Sequence, residues 1–215
     1  FFPAIGVLIS LVLFFLYALI LNLHFDPYLN SAIITITLIV ITGGLHLDGV
    51  ADTFDAIASN KDREASLAVM RDSSTGAIGV LALISIIILK ILLLAEVSPS
   101  NMLAALLFML VFSRFSQVLS LKMFKYIREE GKAKLLFTGT TYPVFIIAAI
   151  SALLFTTFFN WPNALYIFII ILSLTLIFNK LISVKFGALT GDTIGAVSEI
   201  NEVIVLFIFI LIQRF

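Results

Sequence analysis

Long apolar stretches alternate with short polar ones along the whole of this chain. Seven can be marked, at about residues 3–23, 31–47, 76–95, 102–121, 142–159, 164–186 and 202–213, the last of them short. A hydrocarbon core of roughly 30 Å takes about 20 helical residues to cross, and most of these stretches meet that length. Stretches built almost wholly of Leu, Ile, Val, Phe and Ala must be helical, because an open strand cannot satisfy its backbone in lipid. The pattern therefore predicts an all-α, polytopic membrane protein. It is a bundle of about seven transmembrane helices (six to seven), with residues 1–215 forming a single integral membrane domain.

Composition agrees with that reading. Apolar residues make up 61% of the 215, the mean hydropathy is +1.19, and charged residues reach only 12%, about half the share of a soluble domain. The net charge is zero, which gives no electrostatic footprint for a nucleic-acid partner. With no cysteine, disulfides, thiolate metal sites and cysteine nucleophiles are excluded. Residue 1 opens onto an apolar run without a basic segment, so no signal peptide is expected.

The connections set an orientation. Segments 24–30, 96–101 and 160–163 hold no Lys or Arg. Lys61, Arg63, Arg71, Lys122, Lys125, Arg128, Lys132, Lys134, Lys180 and Lys185, ten of the thirteen cations, fall on the other side. The positive-inside rule places that side in the cytoplasm, with the N-terminus inside and the C-terminus outside. The expected location is the cell's inner (cytoplasmic) membrane, multi-pass, with lipid as the surrounding partner. Most acids follow the cations, and only Asp26 and Glu96 lie opposite. Any chemistry then faces the cytoplasm.

Three polar blocks carry that chemistry. In the first, Gly43-Gly44-Leu45-His46-Leu47-Asp48-Gly49-Val50-Ala51-Asp52-Thr53-Phe54-Asp55, the acids are spaced i, i+4 and i+7. On a helix they share one face. Like charges there repel unless a cation offsets them, and hard carboxylate oxygens suit Mg²⁺. His46 is a ligand, a base or a hydrogen-bond partner. In the second, Met70-Arg71-Asp72-Ser73-Ser74-Thr75-Gly76, Asp72 and the hydroxyls are N-cap material for the span beginning near Gly76. The same start beside Arg71 is equally an anion site. In the third, Gly187 to Glu202, Thr190 is placed to cap the last helix, and Asp192 and Glu199 are seven apart on one face. Glycines 187, 191 and 195 let two helices, or a helix and a phosphate, come close.

Two cations lie within spans. Arg114 is expected to face inward, pairing with carboxylates or clamping a phosphate, whereas Lys90 sits near an outer end and is expected to snorkel. Segment 122–141, with Tyr126-Ile127-Arg128-Glu129-Glu130-Gly131-Lys132, reads as an interfacial basic loop against anionic headgroups. His24 reads as structural.

Residues 43–55, 71–79 (Arg-Asp-Ser-Ser-Thr-Gly-Ala-Ile-Gly) and 190–196 (Thr-Gly-Asp-Thr-Ile-Gly-Ala) resemble, in order, three signature blocks of the cobalamin synthase (adenosylcobinamide-GDP ribazoletransferase) family. The opening Phe1-Phe2-Pro3-Ala4-Ile5-Gly6 is similar to the entry of that family's first span. Family members usually start some tens of residues upstream, so a trimmed N-terminus is expected. The resemblance implies a Mg²⁺-dependent transfer joining GDP-activated cobinamide to α-ribazole or its 5′-phosphate, with release of GMP. It puts the family's acidic motif on His46, Asp48, Asp52 and Asp55, its second block on Asp72 and its third on Asp192.

On that basis Asp48 and His46 are the catalytic candidates. Asp48, Asp52, Asp55, Asp72 and Asp192 are candidate metal ligands, and Arg71, Ser73, Arg114, Thr190 and Glu199 candidate substrate-binding residues. A second copy or another cobalamin-assembly enzyme is a possible protein partner. The alternatives are a Mg²⁺-dependent intramembrane prenyltransferase, a CDP-alcohol phosphotransferase, or an ion or metal transporter. The second is disfavoured by Asp48-Gly49-Val50-Ala51-Asp52, which has Ala one place early and no Arg. Acids gathered at one face with a bare outer half disfavour transport.

Overall fold

The structure is a computed structural model that describes residues 1–127 and 132–214, without the side chains of Lys132, Asn160 and Trp161. Residues Arg128, Glu129, Glu130 and Gly131 and the Lys132 side chain, part of the expected interfacial loop, lie outside the described residues. Among the described residues the regular structure is helical, with one isolated bridge between Tyr126 and Leu189. Among the described residues six helices are long and apolar enough to cross a membrane, or seven if a bent pair counts as one span. The chain is a multi-pass membrane protein.

The helices are α1 (Phe2–Leu21), α2 (Pro27–Thr42), α3 (Leu45–Ala58), α4 (Arg63–Val69), α5 (Ala77–Ala95), α6 (Met102–Met123), α7 (Lys132–Gly139), α8 (Tyr142–Phe186) and α9 (Gly191–Arg214). At the centre stands α6, which buries every residue from Ala105 to Leu121. Around it pack α1, α8 and α9, and their Leu, Ile and Phe side chains form one continuous core. Faces turned away from α6 keep large apolar side chains exposed, such as Phe15, Leu19, Ile147 and Leu154. In a bilayer these face acyl chains.

Three boundaries differ from the hydropathy pattern, each for a physical reason. The second apolar stretch ends at Thr42 rather than at residue 47. Gly43 and Gly44 adopt φ of 64° and 67°, where side chains other than glycine are strained. Their N–H groups return to the carbonyls of Val40 and Ile39 at 3.2 and 3.0 Å, the paired bonds of a Schellman stop. The chain then turns by 90° into α3.

The second difference is α8, which is helical throughout its 45 residues. A straight helix would hold Phe145 and Phe168 about 34 Å apart. Both rings nonetheless sit within 6.0 and 4.8 Å of the Phe115 ring. The stretch therefore turns back on itself between them, and Pro162 lies in that interval, where it removes a helix hydrogen bond. Its two halves match the two expected spans.

The third is α9. Helix begins at Gly191, eleven residues before the apolar run at 202, because the polar Thr193, Ser198, Glu199 and Asn201 between are buried against other helices. They do not form a connection.

Candidate active site

The 90° turn lays α3 across the start of α9, and small residues make the crossing possible. A Cβ at Gly49 would collide with the backbone carbonyl of Asp192, and one at Gly195 would lie 3.1 Å from His46 Cα. The first and third sequence blocks are therefore in backbone contact. The second block joins them from two sides. Asp55 on α3 accepts hydrogen bonds from the N–H groups of Gly76 (2.6 Å) and Gly79 (2.8 Å). Met70 meets Thr190, whose hydroxyl lies 3.3 Å from the methionine sulfur.

These contacts reassign two expected roles. The carboxylate that caps α5 is Asp55, reaching across from α3, and Gly76 at the N-cap has no capping side chain of its own. Asp72 instead closes its own turn, accepting from the Ser74 N–H at 3.1 Å. That bond holds the Asp72 carboxyl below its usual range. Arg71, Asp72 and Ser73 are exposed on this connection. Thr190 caps α9 as expected, its hydroxyl accepting from the Thr193 N–H at 3.1 Å. It is fully buried there, with no open side toward a ligand.

Behind α3 lies a ring of buried polar groups drawn from four helices. Lys90 on α5 donates to Glu199 and to Glu202 on α9, each at 2.5 Å. Arg114 on α6 donates to Glu202 and to Ser198, each at 3.1 Å. The Gln117 side-chain nitrogen reaches Ser198 Oγ at 2.9 Å and His46 Nε2 at 3.2 Å. His46 Nδ1 closes the ring 3.9 Å from Glu199. Two carboxylates face two cations, so the group is neutral as a whole. Arg114 turns inward as the sequence suggested. Lys90 does not snorkel: it is 3% exposed, because the charge of two glutamates inside the bundle outweighs the reach to the interface.

On the other side of His46 is a cavity of about 450 Å³. Its lining includes Phe2, Leu45, His46, Gln117, Asp192 and Gly195, mostly apolar walls with a few polar groups among them, as ligand sites have. A smaller cavity of about 190 Å³ at the opposite end of α6 has no charged side chain in its lining. Gln117, Ser198 and Glu202 are the site residues whose roles the sequence left unassigned. Their one signal was position, Gln117 three residues beyond Arg114, Ser198 beside Glu199 and Glu202 three beyond it.

Of the candidate metal ligands, Asp48 is exposed and Asp52 half-buried one turn further along α3, and Asp192 lies across the Gly49 contact. Asp55 gives both oxygens to the α5 cap. Among the described residues no three His, Asp or Glu side chains converge as a ready metal group. The donor set still fits Mg²⁺, which commonly takes one or two carboxylates and completes its shell with water and substrate phosphate.

The fold and this cavity define an integral-membrane protein with an acid-bearing site at one end of a helix bundle. The sequence profile of the cobalamin-5-phosphate synthase family matches residues 1–210, and the chain belongs to that family. It is similar to the adenosylcobinamide-GDP ribazoletransferase of Caldanaerobacter subterraneus subsp. tengcongensis, with 38% identity over 97% of this chain and 85% of the relative. The enzymes of the same name from Thermoanaerobacter pseudethanolicus (38%, covering 98% and 84%) and Clostridioides difficile (33%, covering 100% and 88%) are also similar. No solved structure matches.

The ring makes a stability prediction. Lys90→Met leaves a buried carboxylate without its partner and is expected to lower stability by about 3–5 kcal/mol. Lys90→Met combined with Glu199→Gln restores charge balance and should recover much of that loss. Unfolding of the purified protein in detergent micelles measures both, and a single variant as stable as wild type would contradict the ring.

Proposed function

We propose that this chain is an adenosylcobinamide-GDP ribazoletransferase working at the cytoplasmic face of the inner membrane. It joins GDP-activated cobinamide to α-ribazole or its 5′-phosphate and releases GMP. The observation that carries this reading is the meeting of three separated sequence blocks around α3, in a chain whose family and relatives bear that activity. A ribose hydroxyl of the ribazole attacks the cobinamide-side phosphorus. The new O–P bond forms as the bridging P–O bond breaks, and GMP leaves with the bond's electron pair.

Such a transfer asks the protein mainly for positioning and for charge neutralisation. Asp52 and Asp192, on facing helices, are the carboxylates that would hold Mg²⁺, which when bound neutralises the diphosphate oxygens. Asp48, exposed one turn away, takes the hydroxyl proton. Arg71, on the connection tethered by Asp55 and Met70, offers its guanidinium to phosphate oxygens. Arg114 is paired with Glu202 inside the bundle, so it supports the site from behind and does not clamp substrate.

Two outcomes are expected. Asp48→Asn should abolish GMP release from GDP-cobinamide plus α-ribazole, with wild-type yield in the membrane fraction; full activity in that variant would remove Asp48 from the mechanism. Because the chain has no cysteine, single cysteines report topology cleanly. Ser73→Cys should react with an impermeant thiol reagent only from the cytoplasmic side and Ser100→Cys only from the outside. The reverse pattern would overturn the orientation.

A further inference from the structure

The hydrogen-bond directions within the buried ring determine which imidazole nitrogen of His46 carries the proton. Ser198 Oγ has three partners. Arg114, which can only donate, approaches at 3.1 Å, and the Ser113 carbonyl, which can only accept, takes the hydroxyl hydrogen at 3.3 Å. With its hydrogen turned to the Ser113 carbonyl, which also takes the Ser116 hydroxyl at 2.6 Å, the serine accepts from Gln117 at 2.9 Å. An amide's oxygen and nitrogen look alike from shape alone, but here the serine requires the NH₂ group on this side.

The same nitrogen lies 3.2 Å from His46 Nε2. Its second hydrogen points there, so Nε2 accepts, and the proton of a neutral imidazole sits on Nδ1. The other side of the ring agrees independently. Nδ1 has no hydrogen-bond acceptor of its own and is buried, and it faces Glu199 Oε1 at 3.9 Å. This is too long for a hydrogen bond but attractive for an N–H before a carboxylate. The opposite tautomer would set donor against donor at Gln117 and a lone pair against a carboxylate at Glu199.

We propose that Gln117, oriented by Ser198, is a positioning residue that locks His46 in the Nδ1–H tautomer. Through His46 it holds the first turn of α3, with Asp48 two residues further on, in one setting against α9. Nε2 is thereby occupied by Gln117 and the buried Nδ1–H faces Glu199, and the proton of the attacking hydroxyl goes to a carboxylate rather than to the imidazole. The kinetic part of this proposal rests on the transferase reading; the tautomer does not.

The chain has two histidines, and His24 is exposed just past the end of α1, so nitrogen NMR of ¹⁵N-histidine-labelled protein in micelles, compared with the same spectrum of His24→Gln, assigns the His46 signals. The expected spectrum shows a protonated Nδ1 and a bare Nε2 on His46. In Gln117→Met, which keeps the volume and removes the donors, that preference should weaken, with a fraction of His46 protonated on Nε2. The kcat for GMP release should fall about 10- to 100-fold, with KM for both substrates within about 3-fold. A wild-type His46 protonated on Nε2 overturns the proposal without any variant having to fold. An unchanged tautomer and kcat in Gln117→Met also overturns it. A wild type with the Nδ1–H signature but no GMP release would sink the transferase reading and leave the tautomer lock standing.

Discussion

Everything in this structure leans on the neutralisation of two glutamates inside a membrane bundle. Glu199 and Glu202 are buried in α9, where an uncompensated carboxylate would cost several kcal/mol. They are tolerable because α5 and α6 each send one cation inward, Lys90 and Arg114. That requirement fixes the rotation of three spans about their own axes. A turn of α5 large enough to send Lys90 to lipid would strand Glu199 and leave Glu202 with Arg114 alone. Apolar packing alone gives no such constraint, since a Leu-rich helix face meets acyl chains about as well as it meets another helix.

The site depends on that fixed frame. With α9 oriented by its glutamates, its first turns present Asp192 and Gly195 toward α3, and the two backbones touch at Gly49 and Gly195. The Schellman stop at Gly43 and Gly44 sends α3 across that surface and not onward through the bilayer. Asp55 then draws in the start of α5, and with it the exposed Arg71–Ser73 connection. Motif residues some 140 positions apart in sequence thus come to line, or to border, one cavity. Asp192 stands in the lining of that cavity, while the buried cations Lys90 and Arg114 are already paired with glutamates.

Much of this was legible beforehand, and the exceptions share a cause. Spans such as α1, α5 and α6 follow from apolar runs, because for them lipid is the only relevant solvent. The three blocks were legible because acids and glycines beside membrane spans are costly or conformationally special. What hydropathy misread was polarity satisfied by protein. The start of α9 looked like a connection because Ser198, Glu199 and Asn201 are polar, yet each is buried. Lys90 looked like an interfacial anchor because its acidic partners lie more than a hundred residues downstream. Glu199 and Glu202, three apart on a helix, do share a face, but a face alone does not name its partner. The same limit applies to Asp55: its i+7 spacing placed it with Asp48 and Asp52, and only the fold shows its oxygens capping another helix.

The most direct test of the account is the distance between the Lys90 side-chain nitrogen and the glutamate side-chain carboxyl carbons. Solid-state NMR can measure it in protein reconstituted into bilayers and labelled at those atoms. The account predicts strong dipolar coupling, with two carboxyl carbons within about 4 Å of Nζ. A Lys90 nitrogen with no glutamate carbon in that range, as a side chain reaching for the interface would give, contradicts it.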